Sequence, residues 1–423
     1  MRGLWRWWDG TAGGLPATFW YLWAGLLVNR AGAFAVLFLS LYLTAARGAS
    51  EALAGAVVGA YGIGGAAGVL LGGVLADRWG RRATLLAAHL GAAGLMLGLA
   101  FSRDLALIAV LAALVGVAHS MPSPAFVAAI VDVVPGHRRS RAFNLQFWAF
   151  NLGMAVASLL AGLLAEASFV ALFLVDAAAT LTAAALIAWK VPETLQRSQV
   201  GTRTESVQDL AKRRPGLRTA LTDRTFLVFV GLTFVLAVLT MQASTIMPLA
   251  MRADGLRPSA YGAVVALGGA LIVAGQLLVP RLIDRHRRDR VLAVSTGLLA
   301  VGFGMLALAD HLWAHLAAAV VWTVGSMLAA PPNAQINADL APPELRARYQ
   351  SVFYLTFPAA SFVAPTLGGV SLQYLGSRHW LVVGALGLLA AGAHLLAGPP
   401  RERRVAALRA ADEPVLTERT AVR

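Results

Sequence analysis

The chain of 423 residues contains no cysteine, which excludes a disulfide framework and any thiolate metal site. Charge is scarce as well. Asp, Glu, Lys and Arg make up 13% of the residues, against roughly a quarter in an ordinary soluble domain. Long polar segments are nearly absent; the one exception is "VPETLQRSQVGTRTESVQDLAKRRPGLRTALTDR", Val191 to Arg224. No G-x-x-x-x-G-K-S/T phosphate loop and no H-E-x-x-H zinc helix occurs. ATP-driven chemistry and zinc hydrolysis therefore have no residues to rest on, and neither an enzyme activity nor a cofactor is expected. The run "GIGGAAG", Gly62 to Gly68, has the wrong spacing for a nucleotide loop and lies inside an apolar stretch. Gly64 and Gly68 suit close packing between helices instead.

What is abundant is apolar. Hydrophobic residues reach 58%, in runs that exceed the ~18 residues that read as a membrane-crossing helix. Charge, proline and glycine divide the chain into twelve expected spans. They cover about 18–45, 51–76, 83–101, 105–131, 142–165, 168–190, 225–250, 258–282, 290–309, 313–338, 348–374 and 378–397. The fold class predicted is all-α and integral to the lipid bilayer, because unpaired backbone groups are not tolerated in hydrocarbon. The first run, Thr18 to Thr44, is too long for a signal-peptide core and reads as a retained span. Before it, Trp5, Trp7 and Trp8 with Arg2 and Arg6 resemble an interfacial foot. The residues after Gly398 read as a polar, basic, mobile tail.

The net charge of +14 would suit nucleic acid, but the arginines are not gathered on one soluble module. They follow topology instead. With twelve spans and both termini on one side, that side holds 29 of the 35 Lys and Arg residues. The other side holds Arg47, Arg103, Arg252, Arg257 and Arg378, and Arg30 remains inside a span. The positive-inside rule makes the crowded side cytoplasmic, so a multi-pass protein of the cytoplasmic membrane is expected, with both termini inside.

The sequence also repeats itself. A shift of 207 places Asp77, Arg78 and Arg81 on Asp284, Arg285 and Arg288. It places Gly55 on Gly262, Gly68 on Gly275 and Pro124 on Pro331. It also places Asp132, Pro135, Arg139 and Arg141 on Asp339, Pro342, Arg346 and Arg348. Charged residues are too rare here for such agreement to arise by chance, so two homologous six-helix halves are expected. The boundaries read as 1–190 for the first bundle, 191–224 for a connecting loop, 225–398 for the second bundle and 399–423 for the tail.

"GVLADRWGRR", Gly73 to Arg82, resembles the G-x-x-x-D-R-x-G-R-R signature between spans 2 and 3 of the major facilitator superfamily. The 6+6 layout extends that resemblance over nearly the whole chain. "VPET" after span 6 and Asn29-Arg30 in span 1 are similar to its drug-exporter branch. One departure is Ala157-Ser158, where drug antiporters of the superfamily carry a Gly-Pro pair in span 5. The resemblance implies that Asp77 faces the start of span 11 and acts on its positive end, with Gly73 allowing close approach and Gly80 the turn. By the repeat, Asp284 faces the start of span 5, near Arg139 and Arg141. Asp132 is placed to pair with Arg81, and Asp339 with Arg288. The cluster of Gly73, Asp77, Arg78, Gly80, Arg81 and Arg82 would then clasp the two halves on the cytoplasmic side. Pro280 and Arg287 replace the two glycines in the second copy.

Two formal charges lie deep in spans: Arg30 in span 1 and Asp176 in span 6. A buried ion costs several kcal/mol unless paired, so the two are expected to approach each other or share a polar network. They form either a proton-handling element or a structural lock. His119 is a third candidate for proton coupling. The resemblance implies a cavity lined by spans 1, 4, 7 and 10. Their polar residues include Asn29, Arg30, His119, Ser120, Gln242, Ser244, Asn333, Gln335 and Asn337, and Trp23, Phe34, Phe126, Phe147, Trp148 and Tyr354 are the available aromatics. Pro122 and Pro124, and Pro331 and Pro332, are expected to break spans 4 and 10 at matched depths.

The function expected is secondary transport of a small amphipathic molecule by a monomer, coupled to protons and directed outward. An importer of the same fold and a non-transporting membrane scaffold are the rivals. A scaffold predicts a sealed centre without a cavity.

Overall fold

The computed structural model describes residues 13–195, 218–275, 279–283, 286–342 and 345–421. The tryptophan-rich foot, most of the 191–224 segment, and the pair Asp284 and Arg285 lie outside them. Among the described residues the regular structure is entirely helical.

Ten described stretches are long and apolar enough to cross a membrane. One of them, Arg348–Leu396, contains two expected spans, 11 and 12. Span 1 completes the set of twelve, because it is interrupted: Ala17–Ala31 and Ala35–Ala46 are separate helices, each too short alone. The break was not expected from the sequence. At the break a Cβ on Gly32 would lie 2.1 Å from the Cβ of Ala179, so span 6 packs directly against it.

Helix starts follow local chemistry. Ser50, Asp104, Ser168 and Asp223 each accept a bond from the backbone N–H three residues on, filling one of the open donors of the first turn. The prolines act less symmetrically than expected. Span 4 is divided at Met121 into Leu105–Ser120 and Pro122–Val133. Span 10 runs unbroken from Leu312 to Leu340, with Pro331 and Pro332 inside it. The tail is also not loose. Gly398–Ala421 is helical, and its first turns dock on the second repeat: Arg404 pairs with Asp223 at 3.3 Å and Glu402 with Arg287 at 3.1 Å. Arg401 is buried and lies over the ring of Phe229, and burial draws its guanidinium down to about 10.

Span 2, Glu51–Arg78, organises the centre because it carries glycine on two faces. Gly64, Gly68 and Gly72 meet the backbone of Ala113, Val117 and Met121 in span 4, where any Cβ would sit within about 2.2 Å of a carbonyl oxygen. This is the packing read from "GIGGAAG". Gly55, Gly59 and Gly62 meet span 11 of the other repeat, at Pro365, Gly369, Thr366, Phe362 and Ser361. The repeat reproduces this contact. Gly262 in span 8 lies against Ser158 and Gly162 in span 5, and a shift of 207 carries Ser158 and Gly162 onto Pro365 and Gly369. The two halves thus touch through a pseudo-twofold pair of glycine crossings, both toward the face that bears few arginines.

Candidate functional site

Toward the arginine-rich end of span 2, the face that carries Gly73 and Asp77 is bare. A Cβ on Gly73 would meet nothing within 4 Å, and the Asp77 side chain is 77% exposed. Its ion pair is with Arg81, at 3.5 Å across the turn, not with the start of span 11. The expected Asp77 clasp and the close approach at Gly73 are therefore not formed in this arrangement. Among the described residues the glycine crossings between the two halves lie toward the opposite face. Arg139 bonds the carbonyls of Val131 and Val134, and Arg141 that of Gly13. Their expected partner, Asp284, lies outside the described residues.

The pairs expected within each repeat are present. Arg81 Nε lies 3.0 Å from Asp132 Oδ2, and Arg288 pairs with Asp339 at the position displaced by 207. Arg78 and Arg346 are exposed, while Arg348 keeps a buried Nη1 that lacks a hydrogen-bond partner. The role of "VPET" could have been found only in three dimensions. Gly80, with φ of 107°, ends span 2 in a conformation that favours glycine. The Glu193 carboxylate fills the space beside it and accepts from the N–H groups of Arg81 and Arg82, at 2.9 and 3.2 Å. Thr194 Oγ1 donates to Asp132 at 3.1 Å, and Arg82 donates to the Ala188 carbonyl. Glu193 thus caps span 3 from the end of span 6. Glu193→Ala should lower stability by about 1–2 kcal/mol, read as an earlier denaturation midpoint in detergent, while Glu193→Gln should lose less.

Deep in the first repeat, Asp176 is fully buried and accepts from Ala35 N–H at 3.2 Å. Ala35 opens the second piece of span 1, so the carboxylate caps the helix that restarts after the break. Thr180 Oγ1 lies 3.5 Å from the other oxygen and 3.1 Å from the Asn29 amide. Arg30 does not bond Asp176 directly. The shared network reaches it only through its neighbour Asn29. Its guanidinium sits 4.7 Å from the Phe150 ring in span 5, where Gly153 makes room for it. Asp176→Ala should destabilise by about 1–3 kcal/mol, because Ala35 N–H and Thr180 lose a buried acceptor. A melting midpoint equal to the unmodified chain would remove this capping role.

Between the halves lies a cavity of about 280 Å³. Leu37, Val58, Met241 and Phe357 supply apolar wall; Tyr61, Ser120, Ser244, Thr245 and Ser361 supply hydroxyls. Spans 1, 2, 4, 7 and 11 therefore enclose it. The expectation of spans 1, 4, 7 and 10 misses spans 2 and 11, which line the centre because they cross just beside it. Tyr61, Thr245 and Ser361 had no sequence signal apart from their place in those spans. Ser120 and Ser244 are where they were expected. His119 stands behind Tyr61, its Nδ1 3.5 Å from the phenol oxygen and its Nε2 buried without a partner.

Several other candidates face elsewhere. Asn333 accepts from Thr233 at 2.9 Å, and Asn337 donates to Gln350 at 2.7 Å, both inside the second repeat. Gln242 is buried against Gly368 and Ile246 of spans 11 and 7. Gln335 and Tyr354 are exposed. Among the aromatics, Phe34 and Phe126 are core residues, and Trp23 donates to the Leu145 carbonyl.

Comparison with known proteins matches this arrangement. The family model described as Major Facilitator Superfamily matches residues 22–254 and again 232–423. The "Uncharacterized MFS-type transporter YttB" of Bacillus subtilis is 30% identical over 381 residues, covering 89% of this chain and 93% of its own length. The "Gallate transporter" of Pseudomonas putida is 27% identical over 296 residues, covering 63% and 65%. The "Multidrug resistance protein MdtH" of Klebsiella pneumoniae is 25% identical over 332 residues, covering 76% and 79%. Among solved structures, the nucleoside transporter NupG shares the fold with a TM-score of 0.73 at 12% identity, over 92% of this chain and 99% of that one.

Proposed function

The chain belongs to the Major Facilitator Superfamily, and from that premise we propose that it exports a small amphipathic molecule across the cytoplasmic membrane by alternating access, in exchange for protons. The observation that carries this reading is the asymmetry of span 2. Gly55, Gly59 and Gly62 are packed on the other repeat, while Gly73 and Asp77 are bare. Such an arrangement suits an inward-open form, with the arginine-rich face cytoplasmic and both termini there. Residues 1–190 and 225–398 are the two rocking bundles, joined by 191–224, and a single copy suffices for the cycle. The alternate form would part the glycine crossings and bring Asp77 to span 11, and Asp284 to span 5. A cavity at the centre supports a transporter over a scaffold. Among the relatives, one is named for gallate and one for multidrug resistance, which supports small organic molecules as the class carried.

Asp176 is the residue proposed to take the coupling proton, since its charge holds the restart of span 1 and neutralising it loosens that hinge. Asp176→Asn keeps an oxygen acceptor for Ala35 N–H. The variant is expected to fold and to transport without dependence on a proton gradient. If the dependence persists, Asp176 serves the cap alone. The reading as a whole is tested in everted membrane vesicles, with an acid interior imposed and uptake followed for a panel of anionic, neutral and cationic amphipathic fluorophores. Gradient-driven uptake of at least one, absent from vesicles lacking the protein, is expected. Uptake of none would overturn export.

A further inference from the structure

We infer that Arg30, Tyr61 and His119 form a subsite for the carboxylate of an amphipathic organic anion, with its apolar body in the adjoining central cavity. The inference rests on the transport reading above and narrows its substrate class. The argument begins with an unbalanced charge. A guanidinium at this depth costs several kcal/mol unless something compensates it. Among the described residues Arg30 has no hydrogen-bond or ion-pair partner, and its Nε is buried and unsatisfied. Its direct contact is the face of Phe150 at 4.7 Å, and the Asp176 carboxylate acts on it only through space; both are weaker than a bonded carboxylate.

The acid at comparable depth, Asp176, does not supply the missing partner. One oxygen is taken by Ala35 N–H and the other faces Thr180, so its charge is directed at the start of the span 1 helix. A permanent cation in span 1, within electrostatic reach of the cavity residue Tyr61, is thus left over by the fold itself.

The surrounding groups favour an anion as well. Tyr61 lines the cavity and is within electrostatic reach of Arg30, and its hydroxyl can donate. His119 Nδ1 lies 3.5 Å from that hydroxyl, and its Nε2 is buried without a partner; the neutral ring carries one N–H, so it either donates to the phenol, which then donates to the anion, or accepts from the phenol and offers Nε2–H itself. The rest of the wall is apolar surface from Leu37, Val58, Met241 and Phe357. A carboxylate on an aromatic or alicyclic body satisfies both parts. A cationic amphipath would place like charge beside Arg30.

The experiment uses three naphthalenes of one shape and different charge: 1-naphthoate, 1-naphthamide and 1-naphthylmethylammonium. Each is titrated calorimetrically into the purified full-length protein in detergent. Naphthoate is expected to bind at least about tenfold more tightly than the other two, the scale of one hydrogen bond to a charged group. Arg30→Gln should remove that advantage, and an unchanged elution volume in size-exclusion chromatography certifies the fold. Arg30→Lys should keep part of the advantage.

Equal affinities, a preference for the ammonium compound, or no binding by any of the three overturns the anion subsite. So does an advantage for naphthoate that survives in Arg30→Gln. If Arg30→Gln does not fold, Tyr61→Phe decides: a selective weakening of naphthoate supports the subsite, and an unchanged order overturns it. The transport reading fails separately. Vesicles that take up only cationic fluorophores sink the anion subsite and leave export standing, whereas vesicles that take up none sink export.

Discussion

Gly55→Leu is expected to abolish transport and hold the protein open toward the face that bears few arginines. The cause is steric. A Cβ at this position would lie 2.1 Å from the Pro365 carbonyl oxygen and 3.2 Å from the Gly369 Cα. Backbone cannot yield as a flexible side chain would, so the crossing of spans 2 and 11 must part. The three atoms nearest that Cβ all belong to span 11 of the other repeat, so the first bundle should still fold. The natural absence of cysteine makes the measurement direct. Ser361→Cys places one thiol on the cavity wall. An impermeant maleimide should reach it from the arginine-rich side in the parent chain and from the other side once Gly55→Leu is added. Unchanged labelling with normal transport would overturn the assignment of this crossing as the gate. Gly64→Leu is the contrasting substitution. Its Cβ would meet the Ala113 carbonyl at 1.9 Å, within the first repeat, so the loss should appear in folding yield, with overpacking of this kind costing about 1–3 kcal/mol or more.

The second large effect lies at the other end of the same helix. Asp77→Asn should reduce transport about tenfold, since removing a contact worth 1.4 kcal/mol in one state shifts the balance by that factor. The melting midpoint should not move. In the arrangement described here the side chain is exposed and its pair with Arg81 spans 3.5 Å, and exposed pairs of this kind contribute little to stability. The effect must come from the state in which the arginine-rich ends close. Labelling of Ser361→Cys from that side should accordingly increase. A variant with normal transport and unchanged labelling would show that Asp77 serves topology only. Taken together, Gly55→Leu and Asp77→Asn push one equilibrium in opposite directions, a pattern that simple destabilisation does not produce.

Much of the functional chemistry at the arginine-rich face was legible because it is local. Arg81 and Asp132 terminate neighbouring spans, and Arg288 with Asp339 repeats them 207 residues later, so spacing and duplication are enough to pair them. The cavity was less legible. Asn333 and Asn337 were expected in it because they are polar and deep, yet Thr233 and Gln350 satisfy them inside the second repeat. A helix in a membrane can turn a polar group toward a neighbouring helix as readily as toward water, and a one-dimensional pattern does not distinguish the two. Glu193 was visible as part of "VPET", but its target is the start of a helix more than a hundred residues earlier.

The sequence by itself determined that the chain spans a membrane twelve times, that it is a duplication, and that its arginines gather on one face. Each of these follows from quantities that add along a chain: apolar length, repeated residues and counted charge. Only the tertiary structure decided which glycine face of span 2 meets span 4 and which meets span 11, that Asp176 caps the interrupted span 1, and that Arg30 has no hydrogen-bond or ion-pair partner among the described residues. Those outcomes depend on the rotation of each helix about its axis and on which neighbour it meets, and both are set by packing among helices far apart in sequence.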